Sequence, residues 1–173
     1  MKMTITTWSL EMHTFDELRP SRQVNSDFHI IRVEQPYPAF NKFLYSEVGK
    51  DWFWIDKLSW SHDQWHKYVD RPELETWVGY LHGAPAGYYE LEKQPGTQIE
   101  LVYFGILPPY YGQGLGGILL THAIIRAWSM KPKRVWVHTC SHDHPAALQN
   151  YLARGFVLYN ETVEEKELPE KSA

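Results

Sequence analysis

The sequence predicts an α/β domain of the α+β type, with a mixed, mostly antiparallel central sheet and helices on both faces. Three observations predict it. Short stretches of alternating apolar and polar residues recur along the chain. Between them lie stretches with apolar residues at helical spacing. The two kinds follow one another as strands, two helices, three strands, helix, strand, helix, strand, an order that puts helices against both faces of one sheet.

The first strand spans Thr4 to Met12, with Thr6, Trp8, Leu10 and Met12 on one face. Residues 13–27 are polar, contain Pro20 and read as a loop; Phe28 to Val33 is the second strand. Phe40, Phe43, Leu44 and Val48 have helical spacing, and Gly49 stands where a helix would stop. Ser61 and Gln64 form a capping box for a second helix, with Trp60 and Trp65 placed as a hydrophobic staple. That helix ends before Pro72. Trp77 to Leu81 and Gly87 to Leu91 are strands joined by the turn His82-Gly83-Ala84-Pro85, and Ile99 to Ile106 is a third strand in this run. Pro108 and Pro109 end it. A glycine cluster and an apolar helix from about Leu115 to Met130 follow. Arg134 to Cys140 is a strand, Pro145 to Arg154 a short helix closed by Gly155, and Phe156 to Val163 the last strand.

At 173 residues the chain is the size of one domain. Residues 1–163 are read as that domain, with 1–27 as an N-terminal strand-and-loop extension. Residues 164–173 are read as a charged, disordered tail. The net charge is −4, and most of it lies in the last thirteen residues. The remainder is nearly neutral, which argues against a nucleic-acid partner. One cysteine, Cys140, excludes a disulfide framework and fits a reducing, cytoplasmic setting. The N-terminus MKMTITTWSL has no apolar signal core, and no apolar run approaches the ~20 residues of a membrane span, so no membrane association is expected.

The strongest chemical signal is Gly112-Gln113-Gly114-Leu115-Gly116-Gly117, between a strand and a helix. Glycines there let backbone N–H groups converge on an anion, most simply a phosphate, where the helix dipole adds positive charge. A tight turn that lets helix and sheet pack closely is the plainer reading. A Walker loop is excluded because no Gly-Lys-Ser/Thr follows. The dinucleotide pattern G-x-G-x-x-G is formally met by Gly112, Gly114 and Gly117, with Asp143 ending the next strand. It ranks second, because Leu107 to Tyr111 intervene before the first glycine and too little chain follows Asp143 to complete the usual half-fold.

Tyr111-Gly112-Gln113-Gly114-Leu115-Gly116 resembles the pyrophosphate loop Arg/Gln-x-x-Gly-x-Gly/Ala of the GNAT superfamily of acetyl-CoA-dependent N-acetyltransferases, with Tyr111 in place of Arg or Gln. A second stretch, His144 to Phe156, is similar to that family's short helix ending in Tyr-x-x-x-Gly-Phe, with His144 where many members have Asn. The resemblance implies a GNAT-like sheet and one acetyltransferase domain over residues 1–163. The implied activity is transfer of an acetyl group from the co-substrate acetyl-CoA to a primary amine by direct attack. It implies that Gly105, Ile106, Gly112, Gln113, Gly114, Leu115, Gly116, Gly117, His144 and Ala147 bind the cofactor. It further implies a small-molecule or peptide amine as acceptor, a monomer or homodimer, and no metal. A dinucleotide-binding oxidoreductase and a non-catalytic acyl-CoA-binding module are the alternatives.

Acetyl transfer needs a neutral amine, a donor to the developing oxyanion and a proton for the departing thiolate. The resemblance puts the Tyr151 hydroxyl beside the cofactor sulfur as general acid; a buried core tyrosine is the other reading. Glu100, the only acid inside the apolar strand Ile99 to Ile106, is read on a face with Val102 and Phe104 and is the candidate base. A strand-end carboxylate facing solvent is its alternative, and His138 is a second candidate base. His138, Cys140, His142 and His144 alternate in the manner of a metal cluster, but Pro145 predicts that the strand ends near Cys140 and breaks the alignment. Nothing marks Cys140 as activated. Trp52, Phe53, Trp54, Trp60 and Trp65 cluster where the resemblance puts the acceptor, although helix packing accounts for most of them.

Overall fold

The structure is a computed structural model that describes residues 2–167. Its elements run β1 (Lys2–Met12), β2 (Phe28–Arg32), α1 (Pro38–Gly49), α2 (His62–Val69), β3 (Leu74–Leu81), β4 (Ala84–Gln94), β5 (Gln98–Ile106), α3 (Leu115–Ser129), β6 (Arg134–Cys140), α4 (Ala147–Ala153) and β7 (Val157–Glu167), in the order expected. The seven strands form one sheet in the order β2-β3-β4-β5-β6-β1-β7. Every neighbouring pair is antiparallel except β5 and β6, which are parallel. A doubly wound parallel sheet, which the dinucleotide reading requires, is therefore excluded.

The capping box forms as read: Ser61 Oγ accepts from the Gln64 N–H, and Gln64 Oε1 accepts from the Ser61 N–H. The Trp60 and Trp65 rings meet at 5.3 Å. Other local expectations need correction. The β3–β4 turn is only two residues, His82 and Gly83, both at positive φ, with Ala84 and Pro85 already in the strand. Gly49 is the last residue of α1 rather than a left-handed stop; a Cβ there would collide with Trp54. Residues 164–167, read as part of a disordered tail, continue β7 against β1. The rest of that tail, 168–173, lies outside the described residues.

One sheet face carries the main core. On α3, Leu115, Leu119, Leu120, Ala123, Ile124 and Ala127 are buried against Leu10, Met12, Tyr89, Leu91, Leu101, Val135 and Val137 of the strands. Each of the buried leucine, isoleucine, valine and methionine side chains contributes about 1.5–3 kcal/mol relative to exposure. The other face is covered by α1 and α2 over β3 to β5, through Leu44, Tyr45, Val48, Trp65 and Val69. This face also buries a carboxylate. Glu90 accepts hydrogen bonds from Asn41 and from the Tyr68 hydroxyl. Among the described residues, no helix is long and apolar enough to cross a membrane.

Candidate active site

The parallel contact between β5 and β6 is short. It pairs Gln98 to Glu100 with Arg134 to Trp136 and then stops, although β5 runs on to Ile106 and β6 to Cys140. Two features pull the strands apart. A bulge at Val102 shifts β5 against β4, from Leu91↔Leu101 to Glu90↔Tyr103. Further on, Gly105 lets α1 approach so closely that a Cβ would overlap Val48. Meanwhile β6 is held on its far side by β1, from Thr7↔Cys140 to Met12↔Val135. The gap opens into a cavity of about 850 Å³, lined along one wall by residues 101–106 and along the other by His138, Thr139 and Cys140. Backbone groups of β5 that point away from β4 have no strand to pair with there.

The glycine turn lies at the end of this gap. Gly112 and Gly114 have φ near +75°, which side chains rarely tolerate. Gly114 is the N-cap of α3 and supplies no side-chain cap, so the first N–H groups of that helix are left for a ligand. Gly112, Gly114, Leu115, Gly116 and Gly117 all line the cavity, as do Gly105, Ile106, His144 and Ala147. Gln113 does not: it is exposed at the outside of the turn, where the reversal at Gly112 and Gly114 leaves it. Asn150 on α4 ties the two helices by donating to the Gly116 carbonyl at 3.2 Å. This set fits a pyrophosphate: a left-handed turn, an uncapped helix start and no carboxylate among the turn residues.

The titratable groups are arranged differently from the sequence reading. Glu100 does not share a face with Phe104. The bulge at Val102 flips the alternation, so that Phe104 packs into the main core while Glu100 lies on the opposite face. Nor does Glu100 line the cavity; it is buried behind His138, with its Oε1 3.5 Å from His138 Nδ1 and its Oε2 accepting from Gln94. His138 itself lines the cavity, and the hydrogen bond and charge of Glu100 outweigh burial to raise its pKa. Tyr151 is buried on α4, its ring edge-on to Phe104 and Phe156, and it too lines the cavity. Burial, then the charge of Asp143, pushes its phenol above the ordinary range. Burial also pushes the Cys140 thiol up, the reverse of activation.

Asp143 has a part that the sequence did not suggest. It accepts from the Thr139 hydroxyl at 2.7 Å, the Cys140 N–H at 3.0 Å and the Trp54 indole at 3.1 Å, and so joins the end of β6 to the segment after α1. The aromatic cluster divides in two. Trp52, Phe53 and Trp54 line the cavity, whereas Trp60 and Trp65 pack with Tyr45 and Tyr68 beneath α2. Tyr111, in the position expected for Arg or Gln, accepts a hydrogen bond from the Trp52 indole and stands edge-on to His144. The His144 ring also packs on Trp52, and its Nδ1 accepts from the Ala146 N–H. The strand ends at Cys140, and His142 turns away to face Phe53.

Comparison with known proteins agrees with this geometry. The model of the acetyltransferase (GNAT) family matches residues 39–156. A GCN5-related N-acetyltransferase from Kribbella flavida superposes with a TM-score of 0.63 at 13% identity, over 95% of this chain and 58% of its own. One from Sphaerobacter thermophilus gives 0.67 at 13%, over 94% of this chain and 51% of its own. The chain thus spans little more than half the length of these two. An IAA acetyltransferase from Bacillus cereus gives 0.60 at 23%, over 77% of this chain and 79% of its own. No curated protein sequence matches. At these identities the structures speak for the fold, while the family model covers most of the chain, including the splayed strands, the glycine turn and α4: the chain belongs to the GNAT acetyltransferase family.

Proposed function

We propose that the protein transfers an acetyl group from acetyl-CoA to a primary amine by direct attack. The observation that carries this reading is the opening of one cavity at the divergence of β5 and β6, with an uncapped helix start at one end and His138 and Tyr151 in its walls. Acetyl-CoA supplies the activated thioester. The chain binds its pyrophosphate with the N–H groups of Gly112 to Gly117 and orients its extended arm along the unpaired edge of β5. A backbone N–H near Gly105 and Ile106 donates to the thioester carbonyl as negative charge develops.

His138 is the base. In its neutral form it accepts the proton of the incoming ammonium, and Glu100 orients the ring and stabilises the imidazolium. Glu100 is thus a positioning residue in this mechanism, acting through His138. Tyr151 keeps its proton at neutral pH and donates it to the departing thiolate. A covalent route through Cys140 has no support, since its thiol is held protonated. The aromatic wall of Trp52, Phe53 and Trp54 favours an acceptor with an apolar or aromatic body beside its amine. The test is release of free CoA from acetyl-CoA across a panel of small amines and amine-bearing peptides. Saturable release with at least one amine supports the reading; binding of acetyl-CoA without turnover on any amine refutes it.

A further inference from the structure

A second cavity, about 500 Å³, lies on the other side of the glycine turn. It shares Gly114, Gly117 and Asn150 with the first, so the two meet at the cradle. Its remaining walls are the loop after β1, at Arg19 to Gln23, and the end of α4 at Ala153 and Arg154. The loop is fastened. The Arg19 N–H donates to the Arg154 carbonyl at 2.9 Å. The Ser21 N–H donates to Thr121 Oγ1 at 2.9 Å, and that hydroxyl donates to the Gly117 carbonyl at 2.7 Å. A Cβ on Gly117 would stand 2.6 Å from Arg154 Nη1 and 2.9 Å from Ser21 Oγ, so cradle, loop and α4 come together at Gly117.

The charges are distributed unevenly. The chain has seven arginines. Arg32, Arg71, Arg126 and Arg134 each pair with a carboxylate. The other three, Arg19, Arg22 and Arg154, all line the second cavity, and among the described residues none of them pairs with a carboxylate. Arg154 Nε is buried without a hydrogen-bond partner. A buried guanidinium N–H left unsatisfied is costly unless a ligand completes it. Three unpaired guanidiniums converging on one cavity, in a protein of net charge −4, describe a site for a multiply charged anion.

We infer that this cavity receives the 3′-phosphate at the nucleotide end of CoA, and that Arg19, Arg22 and Arg154 make the protein discriminate CoA from 3′-dephospho-CoA. The inference rests on the acetyl-CoA reading above. With the pyrophosphate on the cradle and the thioester arm in the first cavity, the adenosine end leaves the cradle toward the second. A phosphate monoester carries nearly two charges at neutral pH, which suits paired guanidinium forks. Arg19 and Arg22 lie outside residues 39–156 and Arg154 within them, so two of the three arginines come from the N-terminal extension and not from the part of the chain that the family pattern covers.

Calorimetric titration of CoA and of 3′-dephospho-CoA tests it, with the wild type, the double variant Arg19→Ala/Arg22→Ala and the single variant Arg154→Lys. Arg19 and Arg22 are exposed, so the double variant keeps the core; Arg154→Lys keeps the charge but loses the planar fork. The wild type should prefer CoA at least tenfold. The double variant should lose most of that preference while its affinity for 3′-dephospho-CoA changes less than twofold, and Arg154→Lys should lose part of it. Equal wild-type affinity for the two ligands, or a preference that survives both variants, overturns the inference and leaves the acetyl-CoA reading standing. Binding of neither ligand overturns both.

Discussion

Replacing Glu100 by Gln tests the proposed division of labour between His138 as base and Glu100 as the residue that positions it. The carboxylate lies 3.5 Å from the His138 ring nitrogen, and the His138 side chain is 51% exposed. At that exposure the attraction belongs near its solvent-screened limit: two unit charges at this distance in a water-like medium attract by about 1.2 kcal/mol. Glu100→Gln removes that attraction and should lower the His138 pKa. The direction follows from the proton. The carboxylate favours imidazolium, so the folded pKa is raised, and the stability it adds is full below the ordinary histidine range and is lost as pH rises through the folded value. The variant should therefore lose stability mainly at acidic pH. In the proposed reaction the neutral ring is the base, so the acid limb of kcat/KM for the amine should move to lower pH. The plateau should fall as well, because the ring loses its partner. NMR titration of the histidine resonances alongside kcat/KM from about pH 5.5 to 9 measures both quantities. An imidazole pKa that drops while the acid limb stays in place refutes His138 as the base. A loss of activity equally deep at every pH points to Glu100 itself.

Three further substitutions test other parts of the site and fold. Tyr151→Phe removes only the phenol hydroxyl and should cut kcat by about 10²–10⁴ with CoA affinity unchanged by calorimetry; a change within twofold makes Tyr151 a packing residue. Gly114→Asp puts a carboxylate at the cradle and a side chain at φ +74°, and should abolish measurable CoA binding in a protein whose circular dichroism still shows a folded domain. Glu90→Gln removes a buried charge whose pKa is raised by burial. The folded state holds that proton more tightly than the unfolded one, so stability falls as pH rises from the ordinary carboxylate range through the raised value. The variant should lose this slope, and its urea midpoints at about pH 5 and pH 8 should converge relative to those of the wild type.

Features set by near neighbours in the chain were legible in the sequence. The capping box at Ser61 and Gln64, the order of elements and the turn at Gly112 to Gly117 each depend on residues a few positions apart, and the structure has all three. Features set across the sheet were not legible. Strict alternation put Glu100 beside Phe104, but the bulge at Val102 reverses it, and that bulge arises only when β5 meets β4. The alternation of β1 was visible, while its insertion between β6 and β7 was not, because nothing in Lys2–Met12 names its partners. Asp143 was noticed only as the acid of a rejected motif; its three hydrogen bonds come from segments up to 89 residues away in sequence. The polar loop around Pro20 gave no hint that Arg19 and Arg22 meet Arg154, since polar loops are ordinarily exposed connections.

The N-terminal extension also explains why the cavity lies where it does. Two parallel strands that share only Gln98 to Glu100 with Arg134 to Trp136 would gain by zipping further, since every added pair satisfies backbone groups. Each is prevented by a stronger commitment on its other side. β5 stays paired with β4, past the bulge, as far as Gly87↔Ile106, and the missing side chain at Gly105 lets Val48 of α1 hold that end. β6 is paired with β1 along the same stretch in which it leaves β5, and Asp143 fastens its final residues to Trp54. The gap is thus the residue of two antiparallel pairings that cannot both relax toward each other. Its unpaired edge suits an extended ligand that takes the place of a strand. The same extension that pins β6 through β1 continues into the loop that carries Arg19 and Arg22 to the cradle. One segment outside the matched family region therefore borders both cavities: it pins the strand that walls the first and, on the proposed reading, sets out positive charge for the nucleotide in the second.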